Sequence, residues 1–110
     1  MTVGIEKRKS GRVIKRLEVQ YETGVENTAI TSDLSETGLF IRTNRIITSE
    51  NVLRIKLNLP NLQGFSLQGK VVRNKHTAPG LVGEAKSGVG VELVDPPQDY
   101  INYIRSLPLN

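Results

Sequence analysis

From Leu17 onward, apolar and polar residues alternate with a period of two. Leu17, Val19 and Tyr21 face one way and Glu18, Gln20 and Glu22 the other, which predicts a half-buried strand ended by Thr23-Gly24. A second β-rich run, Thr28 to Ser32, leads into the polar stretch Asp33-Leu34-Ser35-Glu36-Thr37-Gly38, and Leu39 to Arg42 follows as a third strand. Leu53, Ile55, Leu57 and Leu59 alternate with Arg54, Lys56 and Asn58 in a fourth, terminated by Pro60-Asn61. Phe65, Leu67, Gly69 and Val71 mark a fifth, in which Gly69 signals a bulge or a close backbone approach. A connection rich in Gly, Ala and Pro, His76 to Ser87, then leads to a sixth strand at Val89, Val91 and Leu93. A connection of that length is usually functional or mobile.

After Leu93 the period changes. Tyr100, Ile101, Ile104 and Leu107 recur at helical spacing, so a helix is expected over about 96–107, with Asp95 as its cap, a proline at the first helical position and Pro108 as its stop. Six short alternating strands and one terminal helix predict an all-β fold, an antiparallel β-barrel or sandwich closed at one end. No βαβ repeat occurs, which excludes a doubly wound parallel sheet. With 110 residues there is room for one core.

Charge alters the picture at one end. The net charge is +4, and six of the fifteen basic residues (Lys7, Arg8, Lys9, Arg12, Lys15, Arg16) fall within the first sixteen positions, against the single acid Glu6. Residues 1–16 show no helical periodicity and are expected to form a basic arm, mobile without a ligand, ahead of a nearly charge-balanced domain at 17–110. Cysteine is absent, which removes disulfides, thiolate metal ligands and thiol nucleophiles and agrees with a reducing compartment. No run approaches a membrane span, and the first residues lack the apolar core of a secretory signal, so a cytoplasmic location without membrane insertion is expected.

Nothing in the chain has the spacing of a catalytic centre. The one histidine, His76, lies in the Gly/Pro-rich connection with no carboxylate near it in sequence, and neither a Walker nor a Rossmann glycine fingerprint is present. The chain is therefore expected not to be an enzyme. Two features suit binding. In Asp33-x-Ser35-x-x-Gly38, a carboxylate can accept from the N1 and N2 hydrogens of guanine, a hydroxyl can donate or accept beside it, and glycine admits a close backbone approach. The plainer explanation is a turn whose Asp and Ser side chains bond their own backbone. Arg8-x-x-x-Arg12 supplies guanidinium forks, which grip phosphate, read guanine O6 and N7, and stack on a purine.

An arginine pair four apart, a strand, and Asp-x-Ser-x-x-Gly between the second and third strands resemble the PilZ domain, a bacterial receptor for cyclic di-GMP. The closing Gly88-Val89-Gly90-Val91-Glu92-Leu93 before a short helix is similar too, so the likeness covers about residues 6 to 107. It implies a six-stranded barrel of split-barrel type. It also implies an arm that folds over a dinucleotide, with Arg8 and Arg12 on guanine and phosphate and Asp33, Ser35 and Gly38 at the guanine edges. No cofactor beyond that ligand is expected, and output would pass through an effector protein. Two rivals remain: a small basic barrel binding single-stranded nucleic acid, disfavoured by 5% aromatic residues and no Trp, and a protein-interaction domain that needs no nucleotide.

Overall fold

Alternation along the chain becomes alternation of burial. The structure, a computed structural model, describes residues 11–23, 25–43, 47, 52–61, 63–75 and 87–108. Its strands are β1 (Val13–Ile14), β2 (Glu18–Glu22), β3 (Glu26–Leu34), β4 (Gly38–Arg42), β5 (Leu53–Asn58), β6 (Gly64–Lys75) and β7 (Gly88–Leu93), followed by helix α1 (Gln98–Ser106). Every pairing is antiparallel. The order β3-β2-β5-β6-β7-β4 is closed by a β4–β3 pairing, giving a six-stranded barrel with β1 as an added strand on β3.

The inward positions fill the barrel. Val19, Tyr21, Leu34, Leu39, Ile41, Leu57 and Val89 are buried, while Glu18, Arg54, Lys56 and Glu92 on the same strands face solvent. Tyr100 and Ile104 of α1 join this core, and the Phe65 ring meets Tyr100 edge-on with centroids 5.6 Å apart. The amphipathic stripe expected of the helix is thus the face that packs on the barrel.

Three details differ from the sequence reading, and a fourth, at Gly69, decides between its two alternatives. β3 continues through Leu34, so Asp33 lies on a strand rather than in the turn, which is reduced to Ser35, Glu36 and Thr37. Val13–Ile14, expected to belong to the arm, pairs with Leu34 and Asp33, and Val13 is buried. Gly69 is a close approach, its Cβ position running into Val91 Cγ1, whereas the bulge in β6 falls between Val71 and Arg73. Finally, Asp95 does not cap the helix. The first helical residue is Gln98, the cap position is held by Pro97 in extended conformation (φ −67°, ψ 153°) without a side-chain bond, and Asp95 has a left-handed backbone (φ 52°). A proline disfavours the α region for the residue before it, so Pro97 keeps Pro96 from serving as the first helical residue, and the helix begins beyond it at Gln98.

A buried threonine joins β1 to β2. Thr31 Oγ1 donates to the Lys15 carbonyl at 2.8 Å and accepts from the Leu17 amide at 3.0 Å, bridging the gap where the chain passes from one strand to the next along β3. Arg12, one residue before β1, is thereby carried to a fixed place beside the end of β3.

Candidate functional site

The site begins with an extra residue. Thr31 pairs with Ile41 and Asp33 pairs with Phe40, so Ser32 is inserted as a bulge in β3. Without it, the strand's alternation would turn Asp33 inward. With it, Leu34 is buried opposite Leu39, and Asp33 stands on the outer face, three-quarters shielded, opposite Phe40. There Arg12 Nε donates to Asp33 Oδ1 at 2.5 Å. A carboxylate and a guanidinium thus share one edge of a cleft of about 490 Å³, whose floor and far wall are Phe40, Gly90, Val91, Val72, Arg73 and Lys75. Three cations (Arg12, Arg73, Lys75) against one carboxylate give the cleft a positive balance suited to an anion.

Ser35 and Gly38 occupy a different setting. Ser35 is buried, and its Oγ accepts from the amides of Thr37 at 3.2 Å and Gly38 at 3.1 Å, which closes the β3–β4 hairpin. Gly38 pairs with Glu92 across β7, and a Cβ there would collide with the Val91 carbonyl oxygen, so only glycine fits. Both residues hold the shape of the turn that follows Asp33. Arg8 lies outside the described residues. Of the five residues singled out in the sequence, Arg12 and Asp33 are brought into contact.

The hairpin is tied to the helix. Tyr100 Oη donates to the Ser35 carbonyl at 2.7 Å in a buried setting, and Arg105 binds Glu36 through Nε at 3.0 Å and Nη2 at 3.3 Å. Burial pushes the Tyr100 hydroxyl well above the ordinary tyrosine range, with the Arg12 charge opposing the shift, and the hydrogen bond to Glu36 raises Arg105 further. Tyr100 therefore stays a neutral donor at any physiological pH. Among the described residues no cluster of His, Cys, Asp and Glu could hold a metal, and no helix is long and apolar enough to cross a membrane.

Phe40, Arg73 and Gly90 were not singled out in the sequence as part of the site. Phe40 and Arg73 read there as ordinary strand residues and Gly90 only as part of the closing strand; regular β4–β7 pairing sets Phe40 against Gly90, and the bulge in β6 brings Arg73 to the same row.

The family model for the PilZ domain matches residues 6–107. The chain belongs to the PilZ family. That family is one of cyclic di-GMP receptors and adaptors, and PilZ domains are typically binding domains rather than catalysts. No curated protein matches the sequence significantly. Among solved structures, the chain is similar in fold to the Bacillus subtilis inhibitor of motility (MotI/DgrA), with a TM-score of 0.69 at 17% identity, over 88% of this chain and 47% of that one. This chain thus spans about half the length of that protein. It is similar as well to the PilZ domain of CeSA from a cellulose-synthesizing bacterium, with a TM-score of 0.58 at 19% identity, over 87% of this chain and 93% of the other.

Proposed function

We propose that this PilZ domain is itself a receptor for cyclic di-GMP, and that the nucleotide binds in the cleft edged by Arg12 and Asp33. The observation that carries the reading is the Arg12–Asp33 pair, placed by a bulge at the edge of a cleft with surplus positive charge. A guanine could present its N1 and N2 hydrogens to the Asp33 carboxylate. Arg12 would then be free to grip a phosphate or the guanine O6 and N7 edge with its fork.

In this reading Ser35 and Gly38 act through the turn that holds Asp33 in place, and the Ser35 hydroxyl comes to the ligand only if the turn opens. Arg8 supplies a second guanidinium four residues before Arg12, and binding draws the arm across the nucleotide. Fixing that backbone costs about 1–2 kcal/mol per residue, which hydrogen bonds to charged groups, at about 1.5–3 kcal/mol each, offset. The reordered arm alters the surface offered to an effector protein, and that contact is the output.

Titration calorimetry with cyclic di-GMP tests the receptor. Heat of binding is expected for the wild type and its loss for Arg12→Ala and Arg8→Ala, with thermal stability nearly unchanged. Absence of binding at tens of micromolar nucleotide would overturn the reading.

A further inference from the structure

The far wall of the cleft is built with the same device as the near one. In β6, Val71 pairs with Val91 and Arg73 pairs with Gly90, so Val72 is an inserted residue and is left on the surface, 60% exposed. Its insertion turns Arg73 outward, just as Ser32 turns Asp33 outward in β3. The two bulges deliver opposite charges to a single cross-strand row, Asp33–Phe40–Gly90–Arg73, that crosses β3, β4, β7 and β6. Three interstrand steps of about 4.8 Å separate its ends by roughly 14 Å.

Gly90 is the open place in that row. At Gly38, Gly64, Gly69 and Gly88 a Cβ would collide with neighbouring atoms, so packing requires glycine. At Gly90 the nearest atoms to a Cβ would be Arg73 Cβ at 3.6 Å, Arg73 Nε at 3.9 Å and Phe40 Cδ1 at 3.9 Å, which is ordinary contact, and its φ is not in the left-handed range. The barrel does not need glycine here, and glycine weakens a strand. What its absent side chain leaves is bare backbone flanked by an aromatic ring and a guanidinium. Arg73 has no ion pair among the described residues to hold it elsewhere.

We propose that Phe40, Gly90 and Arg73 form a stacking subsite that takes a planar purine base over the bare backbone of β7. The base lies against the Phe40 ring and the Arg73 guanidinium, both of which offer flat faces to a purine. This rests on the reading of the chain as a cyclic di-GMP receptor and extends it. One guanine is held edge-on at Asp33, and a second purine face, of the same nucleotide or of a second one stacked on it, is held about three strands away.

Calorimetry with cyclic di-GMP decides, using Gly90→Val, Arg73→Ala, Arg73→Lys and Asp33→Ala alongside the wild type. Valine suits a strand and has room for its Cβ, so Gly90→Val is expected to melt at or above the wild-type temperature while binding at least tenfold more weakly. Arg73→Ala is expected to lose about tenfold in affinity, and Arg73→Lys to recover little of it, because an ammonium keeps the charge and lacks the plane. Wild-type affinity in Arg73→Ala, or full rescue by Arg73→Lys, overturns the stacking subsite. If binding persists in these variants and is lost in Asp33→Ala, the receptor reading stands alone. If the wild type does not bind, both readings fall. Should Gly90→Val not fold, the surface-exposed Arg73 pair still decides.

Discussion

Among the described residues, two clefts of similar size and opposite construction lie on the outer wall of the barrel. One, of about 400 Å³, crosses β2, β5 and β6 and is lined by Gln20, Glu22, Arg54, Lys56, Ser66 and Gln68. The other, of about 490 Å³, crosses β3, β4, β7 and β6 around Asp33 and Arg73. In the first, register is unbroken from Glu18 to Glu22 and from Leu53 to Asn58, and acids (Glu22, Glu26) balance bases (Arg54, Lys56). It is what alternating strands produce when their polar faces are solvated. In the second, two strands are bulged, one strand carries a glycine that packing does not require, and positive charge is in excess. Size alone does not distinguish a binding site from a solvated wall. What sets the second wall apart is that its bulges re-aim two opposite charges, Asp33 and Arg73, into one cleft that also carries surplus positive charge.

Substitutions across the two walls and the turn should differ widely in effect. The most severe is Gly38→Ala, which drives a Cβ into the Val91 carbonyl oxygen where β4 meets β7; the expected outcome is a protein without a cooperative thermal transition. Next, Asp33→Ala should reduce cyclic di-GMP affinity by about a hundredfold in calorimetry. Stability should shift by less than about 1 kcal/mol, since its ion pair with the half-exposed Arg12 is worth little to the fold. Tyr100→Phe should cost about 1–3 kcal/mol in denaturant unfolding, because it leaves the buried Ser35 carbonyl unpaired.

The same tyrosine sets a pH dependence. Burial raises its pKa in the folded chain above the unfolded value of about 10, so its contribution to stability is complete below pH 10 and declines as pH rises beyond. Melting temperatures should fall in alkaline buffer for the wild type and less steeply for Tyr100→Phe. The smallest effect sharpens the contrast from the other side: Lys56→Ala, in the regular cleft, should change nucleotide affinity by less than twofold.

Much of this was legible before the structure. Leu17, Val19 and Tyr21, or Leu53, Ile55 and Leu57, announce a buried face because strand periodicity is two and nothing interrupts it. The helix stripe at Tyr100 and Ile104 was equally plain. The errors fell where local chemistry was overruled. Asp95 has the right residue type for a cap, yet Pro97 disfavours helical geometry at Pro96, so the helix starts too late for Asp95 to cap it. Asp33 looked like a turn residue because its neighbours Ser35 and Gly38 are, while a one-residue bulge places it on a strand. Val13 and Ile14 were hidden in a basic run, since two residues are too few to show a period. Within the site, Arg12 and Asp33 were named from sequence and meet in space. Phe40, Gly90 and Arg73 were not, because which residues share a row depends on register, and register at a bulge is fixed by pairing with distant strands.

Which wall of the barrel receives the nucleotide is reported directly by backbone amide shifts measured by NMR on adding cyclic di-GMP. The amides of Asp33, Phe40, Gly90 and Arg73 are expected to move in a saturable way while those of Gln20, Lys56 and Gln68 stay in place. Shifts centred on the β2–β5–β6 wall, or a spectrum unchanged at saturating nucleotide, would contradict binding at the Asp33 cleft.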